Sequence, residues 1–238
     1  MTAAADLRIP LFLTPELPCN YLPGRLARTA FVGSTVPMTA SLYAALMRQG
    51  FRRSGQHVYR PHCKGCQACI PVRIPVARFQ PSRSQRRNRQ RNSDLTVGWE
   101  APLLTDRHFE LYDRYISSRH QDGEMYPPDR RQAAQFLLAD WSATRLLTLS
   151  QADRLLAVLV ADLADDGLSA VYSFFDPDES RRGLGVYAIQ ALIDKAGSVG
   201  LPYVYLGYYV ADCRKMNYKA EYQPLEQFVA GRWLPFPG

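Results

Sequence analysis

Four thiols lead the reactive side chains of this sequence: Cys63, Cys66 and Cys69 recur at every third position, and Cys19 lies upstream. Four is the number a tetrahedral zinc or an iron–sulfur cluster takes. Lys64 and the arginines around it suit equally a metal-free site of reduced, stabilised thiols, so zinc, cluster and bare thiols all stay open. Cys213 reads as a small buried residue. A second group is the turn Ser180-Arg181-Arg182-Gly183-Leu184-Gly185. Between a strand and a helix, Gly183 and Gly185 let backbone N–H groups approach an anion that the helix dipole favours; a plain structural turn has the same spacing. The third group joins Tyr205-Leu206-Gly207-Tyr208-Tyr209 to Cys213-Arg214-Lys215-Met216-Asn217-Tyr218-Lys219. Rings beside cations suit stacking on a base or ribose and pairing with phosphate. The alternative is a strand end whose tyrosines pack inward and wet their hydroxyls. His57, His62, His108 and His120 fall in no catalytic pattern and read as structural or surface residues.

Charge gives these groups a setting. No Asp or Glu occurs between Leu17 and Ser93, yet that stretch holds fourteen Lys or Arg and four of the five cysteines. The whole chain is +7; the excess therefore sits in one stretch, whose partner is expected to be a polyanion. Within it, SRSQRRNRQRN (residues 82–92) has no apolar residue and reads as a solvated helix or a linker, with a domain boundary just after it.

Elements that position these groups follow from periodicity. Thr39 caps a helix with Leu42, Tyr43, Leu46 and Met47 on one face, ending at Gly50. A short strand lies near Tyr59, and Val72-Arg73-Ile74-Pro75-Val76 alternates, its prolines confining it to a sheet edge. From Asp94 the pattern predicts a strand at Leu95-Val97, helices at 105–119 and 129–141, and strands at 145–149, 155–163 and 169–175. A helix at 185–196, a strand at 203–206, a helical turn at 215–219 and a strand at 226–229 follow. Asp166-Gly167 marks a hairpin turn. At 238 residues with 47% apolar content, two cores are affordable in size. The opening run lacks a basic n-region and Pro10 breaks its apolar stretch, which predicts neither signal peptide nor membrane span and hence a cytoplasmic protein.

The element order resembles the Gcn5-related acyltransferase fold. The reading is α+β: a basic cysteine-bearing amino-terminal domain over residues 1–92, then a Gcn5-related acyltransferase-like (GNAT-like) domain over 93–238. YSFFDP, GLGVYAIQALIDKA and YLGYYVADCRKMNYKAEYQP resemble the carboxyl-terminal half of the bacterial arginyl-tRNA-protein transferase family, and CNYLPGR, GFRRSG and YRPHCKGCQACIPVRI its amino-terminal half. The two blocks stand in the family's order and cover nearly the whole chain. Where eukaryotic members carry a C-x-x-C, Cys19 is followed three residues on by Leu22, so the resemblance is to the short branch that uses leucine.

That resemblance implies transfer of leucine from leucyl-tRNA to the α-amine of proteins beginning with Asp or Glu, which marks them for N-degron degradation. Aminolysis of an activated ester needs positioning and oxyanion stabilisation rather than a nucleophile on the enzyme, so no cofactor is required for the transfer. Tyr208, Tyr209 and Lys219 are the catalytic candidates, with Gly183 and Gly185 on the substrate. Arg83, Arg86, Arg87, Arg89, Arg91 and Lys215 are expected on the tRNA backbone. Arg73, then Arg60, is the expected partner of the acidic side chain. Arginyl transfer is the close alternative and would need a buried carboxylate, for which Asp176 and Glu221 are at hand. An acetyl-CoA-dependent N-acetyltransferase leaves the cysteine block unexplained, and a non-enzymatic nucleic-acid-binding metal protein leaves YLGYYV idle.

Overall fold

The computed structural model describes residues 9–123 and 125–237; the opening run's first eight residues, on which the expectation of no signal peptide partly rests, lie outside them. The chain begins β1 (Leu11–Leu13), β2 (Leu17–Pro18), β3 (Leu26–Ala27), β4 (Thr29–Val32), α1 (Ala40–Arg48), β5 (Arg52–Ser54), β6 (His57–Pro61) and β7 (Ile70–Pro75). It continues α2 (Arg83–Arg91), β8 (Thr96–Glu100), α3 (Asp106–Arg119), α4 (Arg130–Leu137), β9 (Thr144–Gln151), β10 (Arg154–Leu163), β11 (Gly167–Phe175) and α5 (Leu184–Ser198). Last come β12 (Tyr203–Tyr209), a tight helical turn at Asn217–Glu221, β13 (Glu226–Val229) and β14 (Arg232–Pro235).

Eight strands form one sheet in the order β14-β13-β7-β12-β11-β10-β9-β8, and β1-β4-β6-β5 form a smaller one. β10 explains the layering. Its run Leu155–Ala161 is apolar at every position because both faces are covered. Leu159 and Ala161 meet Leu184, Ala188 and Leu192 of α5, while Val158 and Val160 meet Ile116 of α3 and Leu137 of α4. Each such fully buried Leu or Val contributes roughly 1.5–3 kcal/mol. α1 forms as its spacing predicts, with the Thr39 hydroxyl accepting the Leu42 N–H at 3.2 Å and Tyr43, Leu46 and Met47 buried. No helix among the described residues is long and apolar enough to cross a membrane.

Four expectations change. The large sheet crosses the boundary expected after Asn92, because β7 lies between β12 and β13. Accordingly β7 is not an edge strand: it pairs with β12 along its length, whereas β13 covers only Val72 and Arg73. Pro71 and Pro75 fall outside that two-residue overlap, where a missing N–H costs no ladder bond. The helix expected over 129–141 stops at Leu137. Residues 83–91 form the helix, one of the two expected alternatives, but docked rather than wholly solvated: Ser82 and Gln85 close a capping box, and Gln85, Asn88 and the following Asn92 are buried.

Candidate active site

Parallel strands β11 and β12 pair only from Gly167↔Tyr203 to Ser169↔Tyr205. Beyond that point they part, and β11 runs on through Phe175 without a partner on that side. Backbone groups stripped of a ladder need other partners. Arg52 of β5 supplies them: its guanidinium donates to the Ala170 carbonyl and, at 2.6 Å, to the Ser169 hydroxyl. It passes beside Gly207, whose φ of 79° bends β12. A Cβ on Gly207 would stand 3.2 Å from the Arg52 Nε. Glycine is required there twice, for the left-handed backbone and for the room.

The segment after β12 carries Lys219 in the tight turn Asn217–Glu221, within reach of the Arg52 charge. Lys219 is 4% exposed. Its amine donates to the Met216 sulfur at 3.4 Å and lies 5.0 Å from the Tyr218 ring centre. Burial, and then the Arg52 charge, push it down to about 7, with Cys213 opposing. A dry amine that is half neutral near pH 7 is suited to take a proton.

At the far end of β11 the glycine turn begins α5. Gly183 is left-handed (φ 63°), and Asn88 donates to the carbonyls of Arg182 and Gly183 at 2.8 and 3.1 Å. Asn92 adds a second donor to Arg182. The arginine-rich helix α2 therefore braces the turn through amides, while Arg83, Arg86, Arg87 and Arg91 face solvent. From Ala170 to Phe175, where β11 reaches Gly185, is five residues, roughly 17 Å of extended strand. The point where β11 leaves β12 and the glycine turn before α5 thus lie along one strand.

Sequence-chosen residues separate on this framework. Lys219 is buried, and Lys215 is exposed a few residues away. Tyr208 does not offer its hydroxyl to a substrate: it is 4% exposed and donates to the Gly50 carbonyl at 2.9 Å, which ties β12 to the amino-terminal half. Tyr209 turns the other way and packs edge-on against Phe236. Arg73 is already engaged. Its Nε donates to Glu226 at 2.8 Å, and its guanidinium lies over Tyr203 and Trp233. Arg60 lies over Phe51, on the face of β5 and β6 opposite to Arg52 and Tyr59. Arg89 pairs with Asp194, and Arg91 donates to the Arg181 carbonyl. Arg52 was missed as a site residue, although the Arg52-Arg53 pair on a short strand was the signal: adjacent strand residues face opposite sides, so the two must serve different ends.

The five cysteines gather, all free, around Leu22 and Val210. Burial, and then the other four thiols, push Cys69 up to about 12, which holds it neutral. Cys19 accepts the Leu22 N–H at 3.4 Å, and Cys63 accepts the Arg28 N–H at 3.4 Å. No three potential ligands among the described residues converge as a metal requires. Cys19 and Cys63 instead serve the local backbone as acceptors.

Two family models match the chain: "Arginine-tRNA-protein transferase, N terminus" over residues 17–87 and "Arginine-tRNA-protein transferase, C terminus" over residues 107–229. Among curated proteins, the chain is 48% identical to an aspartate/glutamate leucyltransferase of Saccharophagus degradans, over 99% of this chain and all of that protein. It is 50% identical to one of Hahella chejuensis, over 94% and 95% of the two chains, and 48% identical to one of Pseudomonas fluorescens, over 95% and 97%. Among solved structures, L-PGS of Bacillus licheniformis gives a TM-score of 0.45 at 12% identity, over 61% of this chain and 46% of that one, a likeness too slight to argue from.

Proposed function

The chain belongs to the arginine-tRNA-protein transferase family, and we propose that it moves leucine from leucyl-tRNA to the α-amine of proteins that begin with Asp or Glu. Identity near one half, over essentially full length, to proteins bearing that name is the observation that carries the reading. The new amino-terminal leucine marks the acceptor for N-degron degradation, and a charged-tRNA donor makes the protein cytoplasmic. Local chemistry favours leucine over arginine as donor. Asp176 is fully buried but held by Arg114 and Arg154 at 2.8 and 2.7 Å, and Glu221 is exposed. Neither offers a free buried carboxylate to a guanidinium.

The carboxyl-terminal half is read as GNAT-like. Supporting this are a parallel strand pair that parts and a left-handed glycine opening the next helix. In the reaction the acceptor α-amine attacks the leucyl ester carbonyl, the amide forms, and the bond to the ribose oxygen breaks. Lys219 takes the proton that the α-ammonium must lose, and the ribose oxygen leaves protonated. Backbone N–H groups at Gly183 and Gly185 face the donor's anionic end. No cofactor enters any step.

Transfer is tested by offering labelled Leu-tRNA, Arg-tRNA or acetyl-CoA with peptides beginning Asp, Glu or Lys. Label from Leu-tRNA on the Asp and Glu peptides alone is expected; label from acetyl-CoA alone would sink the reading. Exposed Arg83 and Arg87, with Lys215, are proposed on tRNA phosphates. Replacing both arginines by Gln is expected to weaken tRNA binding and to flatten the plot of log affinity against log salt by about 1.5 in slope. An unchanged slope in filter binding removes α2 from the interface.

A further inference from the structure

Among the described residues, three arginines are more than nine-tenths buried: Arg52, Arg53 and Arg73. Arg53 is neutralised by Asp162, and Arg73 by Glu226. Arg52 has no carboxylate among the described residues. Its charge bears on Tyr43, Tyr59, Tyr208, Tyr218 and Lys219, which are four phenols and an amine. Two neutral oxygens, of Ser169 and Ala170, take two of its five N–H groups. A guanidinium removed from water against neutral acceptors alone is poorly compensated, and a carboxylate is what completes it. It stands where β11 and β12 part.

Resting on the leucyl-transfer reading, we propose that Arg52 is the receptor for the side-chain carboxylate of the acceptor's first residue and so determines the preference for Asp and Glu. The location suits the task. In an amino-terminal aspartate the α-amine and the side-chain carboxylate are neighbours, and the glutamate carboxylate lies one methylene further. The Arg52 charge also reaches the Lys219 amine, so one group can hold the acid while the other takes the amine's proton. Arg52 also forms the floor where the strands part, fixed by two hydrogen bonds and by Gly207, so the fork is held before the substrate arrives. Asparagine and glutamine match the shape without the charge, and would leave the guanidinium unpaired.

The test compares a peptide beginning Asp with its Asn twin, first by calorimetric binding without tRNA and then by kcat/KM for leucyl transfer. Wild-type protein is expected to favour Asp, and Arg52→Gln to reduce the Asp-to-Asn ratio by about 10²-fold in both measurements. Arg52→Lys, which keeps the charge and loses the fork, is expected to fall between. A purely structural Arg52 would lower both peptides together and leave the ratio unchanged, which overturns the proposal. Should Arg52→Gln fail to fold by circular dichroism, the Lys variant decides on the same ratio. Charge-selective peptide binding that depends on Arg52, in protein that transfers no leucine, would keep this inference and reject the transfer reading.

Discussion

Lys219→Met is expected to yield a protein that is more stable than the parent and nearly inactive. Lys219 is buried, and burial and then the Arg52 charge push its amine down to about 7. In the unfolded chain a lysine amine titrates near ~10.4. Between these values the unfolded chain holds the extra proton, so stability rises with pH across that window, and the cost of the buried charge is fully present below pH 7. Methionine removes the cost. The variant's advantage in urea unfolding should be largest at pH 6 and smaller by about 2–3 kcal/mol at pH 9; an advantage independent of pH would mean that the amine is not perturbed. Activity should move oppositely. Single-turnover transfer with saturating Leu-tRNA is expected to fall by about 10²–10⁴-fold, the usual range for losing a positioned proton acceptor, and to lose its rise through pH 7. A folded variant with an undiminished single-turnover rate assigns the proton to another group.

How much of this site is legible in the chain depends on what holds each piece. α1 follows from Thr39, four apolar residues at helical spacing and Gly50, because apolar burial forms it. α2 escapes the same reasoning: Gln85, Asn88 and Asn92 dock it at helical spacing using amides, so a search for apolar periodicity sees only solvent. The capping box at Ser82 and Gln85 is the signal that was there to be read. The tyrosines of YLGYY show a different limit. Strict alternation puts Tyr205 and Tyr209 on one face, yet the register shift between Tyr205 and Gly207 turns Tyr208 toward Gly50 and Tyr209 toward Phe236. A one-residue irregularity exchanges faces for everything after it. Arg52, Arg53 and Arg73 look alike in sequence. Their difference lies in Asp162 and Glu226, acids more than a hundred residues away that answer two of them and leave the third.

Arg53→Met is the structural counterpart of that contrast and is expected to cost about 3–5 kcal/mol. Arg53 reaches across to β10, where its Nε and one terminal nitrogen meet the Asp162 carboxylate at 2.5 and 2.7 Å. The same terminal nitrogen also meets the Thr144 hydroxyl at 3.2 Å, and the other donates to the Leu137 carbonyl at 3.0 Å. Every partner is dry, and the guanidinium closes the carboxyl end of α4 onto the large sheet. Removing it leaves Asp162 buried with only the Thr144 hydroxyl, at 2.7 Å, to offset its charge. The penalty therefore belongs to the abandoned carboxylate more than to the lost pair. A second change should then return much of it: Arg53→Met with Asp162→Leu is expected to be clearly more stable than Arg53→Met alone, by 2 kcal/mol or more on an order-of-magnitude scale of about 1–4 kcal/mol for apolar replacement. Urea unfolding of the two singles and the double measures the coupling. If the double is no better than the single, the pair's role is to hold α4 against the sheet, and the loss is one of geometry rather than of unpaired charge.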